Sequence, residues 1–197
     1  MIITSEELLF ENRNYKDPKH RVFNMSQKGE IISLKRGLYE TDANAPGIVL
    51  ANSLLGPSYL SFEYALSYYS LIPERVTVYT SATFGKRKTI EFTNDFGTFQ
   101  YRDVPQQVYP HFYMRWMIEN RPVLIASKEK ALCDTLYTLS PIRGIADFRE
   151  YLFDGMRLDE EEFAALDMGK IIKIAPLYHK TNLDQLLKLV ERKYLYE

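Results

Sequence analysis

Three residue types that usually carry chemistry or cross-links are scarce here: one cysteine, one tryptophan and three histidines in 197 residues. With no second thiol, Cys133 has no internal disulfide partner, and no charged-then-apolar leader follows Met1. Neither secretion nor an oxidising compartment is supported, so the expected location is cytoplasmic. A bilayer-spanning helix needs roughly 20 apolar residues, and the longest candidate, Gly47–Leu55, is broken by Asn52 and Ser53. His20, His111 and His179 are scattered, and none has a second histidine, a cysteine or a carboxylate at metal-ligand spacing. No metal and no cofactor are therefore expected.

Phosphate loops and nucleophile elbows are missing too. Gly85-Lys86-Arg87-Lys88 lacks the earlier glycine and the following helix of a phosphate-binding loop. It reads as a basic hairpin tip, a possible second phosphate contact. Ser58, Ser61, Ser67 and Ser70 cluster, but without the Gly-x-Ser-x-Gly turn that exposes a catalytic hydroxyl. Cys133 stands among Ala131, Leu132 and Leu136, the setting of a buried, inert thiol. Asp159-Glu-Glu-Glu162 is better suited to the positive end of a helix than to a metal, because consecutive helical residues point in different directions. An enzyme is not expected.

What is plentiful is core-forming material: 46% hydrophobic residues, with 15 tyrosines that favour half-buried sites, ring inside and hydroxyl outside. The formal net charge of -1 gives the whole chain no field to attract nucleic acid, so any such binding needs a local patch.

Along the chain, Thr4-Ser5-Glu6-Glu7 is a capping box that opens a helix through Phe10. Asp17-Pro18 opens a second, running to Lys28 with Gly29 as its terminator. Its apolar Val22, Phe23 and Met25 are expected on one side, with Lys19, His20, Asn24 and Lys28 on the other. Glu30–Tyr39 alternates Ile32 and Leu34 with Ser33 and Lys35, and Gly37 suits a tight turn, which gives a two-stranded wing. Residues 1–42 thus form a short winged-helix-like segment, and Ala43–Gly47 reads as a linker.

Residues 47–197 read as a second α+β unit. Helices are expected at Ile48–Leu55 and Ser61–Leu71, then a small, mainly antiparallel sheet from Arg75–Ser81, Thr89–Thr93, Thr98–Asp103, Tyr109–Met117 and Pro122–Ala126. Helices follow from Ser127 to about Leu139, then at Ile145–Phe153, Glu160–Leu166, Lys170–Leu177 and Asn182–Leu195, with Asp159 and Thr181 as caps.

From Arg13 to Tyr39, seven cations (Arg13, Lys16, Lys19, Arg21, Lys28, Lys35 and Arg36) face two anions (Asp17 and Glu30), a local excess of five positive charges. On a helix-then-wing scaffold this is a phosphate footprint. Lys19, His20, Asn24 and Lys28 would address the major groove, and Lys35 and Arg36 the backbone. The competing reading is an ordinary solvated face on an interaction module that binds a partner protein.

Three separated strings add a further reading: Leu34-Lys-Arg-Gly-Leu-Tyr39; Pro57-Ser-Tyr-Leu-Ser-Phe-Glu-Tyr-Ala-Leu66, with Tyr69 and Leu71-Ile-Pro73; and Ala126-Ser-Lys-Glu-Lys-Ala-Leu-Cys-Asp134. In this order and spacing they resemble the AbiEi-type antitoxin family, whose third string has proline where this chain has Lys128. The resemblance spans about Ser26 to Leu139. It implies the antitoxin of a bacterial type IV toxin–antitoxin, or abortive-infection, system that represses its own operon at inverted repeats. Its functional partner would be a nucleotidyltransferase-like toxin that it need not touch, and paired repeats imply a possible homodimer. Carried onto this chain, Lys19, Arg21, Asn24, Lys28, Lys35 and Arg36 would contact DNA. Gly37, Tyr39, Tyr59, Ser61, Glu63, Glu129, Lys130 and Asp134 would be signature positions with structural roles.

Overall fold

Thr4 ends one element and begins another. Strand β1 (Ile2–Thr4) runs into helix α1 (Ser5–Glu11), where the Thr4 hydroxyl accepts from the Glu7 amide at 3.2 Å and the Glu7 carboxylate accepts from the Thr4 amide at 2.8 Å. Helix α2 (Pro18–Gln27) is capped by Asp17, which accepts from the His20 amide at 3.0 Å, and it is released at Gly29, whose φ of 71° suits a residue without Cβ. Strands β2 (Ile32–Lys35) and β3 (Leu38–Glu40) then form the expected wing around Gly37, at φ 83°. β1 was not anticipated, since three residues carry no periodicity. It pairs antiparallel with β3 and completes a three-stranded sheet, ordered β1-β3-β2. The computed structural model describes residues 1–196, with side chains through Glu191.

The second unit begins without a loose tether. Ala45 is buried, and a Cβ on Gly47 would overlap the Tyr79 ring and stand 2.7 Å from the Phe96 carbonyl, so the expected linker is packed against the sheet. A 3-10 turn (Gly47–Val49) and helix α3 (Ala51–Leu54) replace the single helix expected there. Strand β4 (Tyr59–Leu60) and helix α4 (Phe62–Tyr68) follow, then strands β5 (Tyr79–Thr83), β6 (Ile90–Asn94), β7 (Gly97–Asp103), β8 (Tyr113–Ile118) and β9 (Arg121–Ala126). Helix α5 (Lys128–Thr138) is capped by Ser127, and α6 (Ile145–Glu150) widens into a π-type turn at Tyr151–Gly155. Asp159 caps α7 (Glu160–Ala164), and Asp167 caps α8 (Met168–Ile174) before a 3-10 turn at Ala175–Tyr178 and the long α9 (Thr181–Tyr196).

The fold is α+β, with one six-stranded sheet ordered β6-β7-β5-β4-β9-β8. Three of its neighbouring pairs are antiparallel, while β5/β7 and β4/β9 are parallel. β4, a two-residue strand hidden between helix signals, takes the centre of the sheet and pairs parallel with β9, while β7 pairs parallel with β5 because β6 lies outside β7. For the same reason Gly85–Lys88 is not a hairpin tip: β7 lies between β5 and β6, and the basic loop crosses over it. Among the described residues, no helix is long and apolar enough to cross a membrane.

The two units differ sharply in their interiors. Residues of β1, α1 and the start of the wing bury only Ile3, Leu8 and Ile31 together, with Val22, Met25 and Tyr39 packed around them. The rest of the core is continuous across the sheet and helices and reaches into the wing through Leu34.

Candidate nucleic-acid interface

Helix α2 turns its packed side inward through Val22 and Met25, both of which lie against the small core. At about 100° per residue, Phe23 cannot share that side; it is 58% exposed and stacks on His20 with ring centroids 6.3 Å apart. The apolar face expected of Val22, Phe23 and Met25 is therefore only two residues wide. The outward face spans about half the helix circumference. Lys19 and Lys28 stand at its two margins, with His20, Phe23, Asn24 and Gln27 between them. Of these six, all but the half-buried Asn24 are exposed. Lys19, Lys28 and the wing residue Arg36 make no side-chain hydrogen bond or ion pair among the described residues.

Lys16 is likewise exposed and without such a contact among the described residues, whereas Arg13, Arg21 and Lys35 are already engaged. Arg21 pairs with Glu30 at 3.2 Å and lies over the Tyr15 ring. Arg13 donates to the Phe10 carbonyl at 2.9 Å. Lys35 points inward: its ammonium donates to the Leu54 carbonyl at 2.6 Å, capping the end of α3, and lies 5.6 Å from the centre of the Phe92 ring. A carbonyl at a helix C-terminus attracts a cation, and that attraction holds Lys35 in a structural contact rather than on the backbone-gripping surface expected of it.

Lys35 is one of three links that hold the wing on the second unit. Asn94 donates to the Leu34 carbonyl at 3.0 Å. The third link is ionic. The buried Glu40 carboxylate receives Arg121 from the β8–β9 turn at 2.6 and 3.1 Å, together with the amino-terminal amine. Burial by itself would raise the Glu40 pKa. The hydrogen bonds from Arg121, the terminal amine and the Asp42 amide, with the Arg121 charge, override burial and hold it at about 2.

Neither a family model nor a curated protein matches this chain.

The signature positions of the second unit converge although the sequence separates them by up to 75 residues. Asp134 on α5 is fully buried and accepts from the hydroxyls of Ser61 at 2.7 Å, Tyr59 at 3.1 Å and Tyr178 at 2.6 Å. Lys130, one turn earlier and equally buried, donates to Asp134 and to the Tyr178 hydroxyl, each at 2.9 Å, and lies over the Tyr59 and Tyr178 rings. Every charge in the cluster thus has a partner, the condition under which a buried ion pair is tolerated. Burial and the Asp134 charge push both tyrosine hydroxyls well above the ordinary phenol range, and burial likewise pushes the Cys133 thiol up.

Ser61 sits where β4 turns into α4, followed by Phe62 at φ 56°. This strand-to-helix turn aims the hydroxyl at Asp134 instead of at solvent, and Ser61 is fully buried. Glu63 leaves the cluster and forms a two-pronged pair with Arg102 at 2.7 and 2.9 Å. Glu129 accepts from the Ser127 hydroxyl at 2.7 Å and from the Asp167 amide at 3.0 Å, which ties the start of α5 to the start of α8. Gly37 accepts from the Ser5 amide at 3.0 Å, and Tyr39 packs on the small core. Among the described residues, no three His, Cys, Asp or Glu side chains are grouped to hold a metal.

Sequence reasoning missed several residues of equal weight. Asn182 on α9 is buried; it donates to the carbonyls of Leu136, Leu139 and Ser140 and accepts from the Ile142 amide, closing the C-terminal end of α5. Asn52 extends the edge of β9 by accepting from the Leu124 amide at 2.7 Å. Tyr178, Arg121 and Glu40 gave no local signal, because each acts on a partner 44 or more residues away.

Proposed function

We propose that this chain is a DNA-binding regulator of the AbiEi antitoxin type, a cytoplasmic autorepressor that reads operator DNA with the outer face of α2. The observation that carries this reading is the distribution of groups on that face. Two unpaired ammonium groups, Lys19 and Lys28, flank a centre of His20, Phe23, Asn24 and Gln27. A helix lying in a major groove needs cations at its margins to meet phosphates on both walls, and amide, imidazole or ring groups along its middle to meet base edges. Arg36 at the wing supplies a further cation, whereas Arg21 and Lys35 serve the protein itself.

The convergence of Tyr59, Ser61, Lys130 and Asp134 supports the same reading. Strings that resemble the family's at distant positions meet in one place, and the place is structural. On this reading the second unit is a rigid platform, and the functional partner is a nucleotidyltransferase-like toxin opposed without direct contact.

The test is a salt series of band shifts or anisotropy titrations with the DNA upstream of the chain's own gene. Specific binding is expected to weaken with salt. The Lys19→Ala and Lys28→Ala variants should each reduce the slope of log affinity against log salt by about 0.9, one phosphate apiece, and Lys35→Ala should leave the slope unchanged. A chain that shows no salt-sensitive, sequence-specific shift is not this regulator.

A further inference from the structure

We infer that strand β8 is a self-pairing edge: two copies of this chain join their six-stranded sheets into one twelve-stranded sheet across a twofold axis at Trp116. The inference starts from the β8–β9 hairpin. Its two turn residues, Glu119 and Asn120, have φ of 49° and 60°, the geometry of a type I′ turn. The residues flanking such a turn, Ile118 and Arg121, form a hydrogen-bonded pair, and pairs alternate along an antiparallel ladder. Met117 and Pro122 are therefore a non-hydrogen-bonded pair, which suits a proline with no N–H to give. It follows that the backbone groups of Tyr113, Arg115 and Met117 point away from β9. β8 is the last strand of the sheet, and no backbone or side-chain group among the described residues bonds to that outer edge.

The edge has few features that normally discourage pairing: it contains no proline, no lysine, no inward charge and no bulge. It is also apolar. Met114 (40%), Trp116 (38%) and Met117 (60%) are exposed on the strand, and exposed Tyr68 lies edge-on to Trp116 at 5.9 Å.

A twofold axis perpendicular to a sheet can relate antiparallel copies of one strand only by centring on a residue. Two registers pair five residues of β8, and the remaining ones pair three or fewer. Centring on Arg115 would set two guanidinium groups directly opposite each other, a like-charge pair that disfavours the register. Centring on Trp116 sets Arg115 opposite the partner's Met117 and diagonal to the partner's Glu119, so that the strand's one charge meets its complement. The outward rungs of Arg115 and Met117 then become the interchain hydrogen-bonded pairs. Trp116 meets the partner's Trp116 in the close, non-hydrogen-bonded position, where Cα atoms approach to about 4.5 Å. Charge selects this register, rung direction is satisfied by it, and a second copy of this chain meets both conditions.

The test is the oligomeric state of the full chain by sedimentation velocity from 1 to 100 µM, followed by register-specific cross-linking. A dimer of the 23.1 kDa chain is expected. Met117→Lys, at a position exposed enough to leave the fold intact, should raise the dimer dissociation constant at least tenfold by placing an ammonium opposite the partner's Arg115. Trp116→Cys should form an interchain disulfide under mild copper-phenanthroline oxidation, and Arg115→Cys should not; Cys133 is buried and does not compete. A wild-type chain that stays monomeric to 100 µM overturns the inference. So does a dimer indifferent to Met117→Lys, or one cross-linked through position 115 but not 116. Each readout is made without DNA, so its failure leaves the DNA-binding reading standing, and the reverse also holds.

Discussion

The two halves of this molecule solve the problem of polar groups in opposite ways. In residues 1–42, Lys19, Lys28 and Arg36 stand unpaired at the surface among the described residues, over a separate apolar core of three buried side chains. In the remainder, the Lys130 ammonium and the hydroxyls of Tyr59, Ser61 and Tyr178 turn inward and converge on Asp134. Ordering roughly forty residues costs about 1–2 kcal/mol each in backbone entropy alone, which so small a core cannot offset. The first unit is held by Leu34 in the common core and by the three polar links at its wing. A surface free to meet a ligand and a rigid frame to present it are thus divided between two parts of one chain.

The largest effect should come from breaking the frame. Asp134→Ala would leave Lys130 charged and buried without its partner, and is expected to cost about 3–5 kcal/mol, measured by chemical denaturation. Replacing both members, Lys130→Met with Asp134→Leu, should cost less than Asp134→Ala alone, because no uncompensated charge remains. If the double variant is instead as unstable as the sum of the two single changes, Lys130 and Asp134 are not acting as a pair.

Uncoupling the two units should have a smaller and more localised effect. Arg121→Ala removes the two hydrogen bonds to Glu40 from a partly exposed position, so a loss of about 2 kcal/mol is expected, below that of a fully buried pair. Amide exchange should speed up across β1–β3 before it changes in β5–β9. The pH dependence follows from the same pair. Glu40 has a folded pKa of about 2, below its ordinary 4.5, so its contribution is fully present above about pH 4.5 and is lost as pH falls toward 2. Glu40→Gln should flatten the stability profile in that window, and a profile unchanged between pH 2 and 4.5 would show that the link contributes nothing.

How legible these features were in the sequence depends on how far apart their parts lie. The capping box at Thr4, the Asp17-Pro18 helix start and the turn at Gly37 are local, and each formed where the residues indicated. The α+β class followed from the alternation of these signals. Strand β4 escaped because two residues carry no period, and its place at the centre gave the sheet one of its two parallel pairs. In the basic segment, residue type alone could not separate Lys19, which is free, from Lys35, which is bound to Leu54 nineteen residues away. The Asp134 cluster was visible only as motif strings; that they meet depends on Tyr178 and on the turn at Phe62, which no local pattern marks.

The smallest effect belongs to the capping box, and it bears most directly on the contrast between the units. Thr4→Ala removes the side chain that accepts from the Glu7 amide, along with its own bond to the Glu7 carboxylate, a loss of about 1 kcal/mol. In the second unit such a loss would be spread over a large core. In the first it falls on a helix with a single buried residue, Leu8, next to the strand that pairs with the wing. The expected outcome is faster amide exchange in α1 and β1, with the cooperative melt of the sheet unchanged. A variant whose whole melting curve shifts by the same amount would show instead that the two units fold as one, and that the free cations on α2 rest on the same cooperative structure as Asp134.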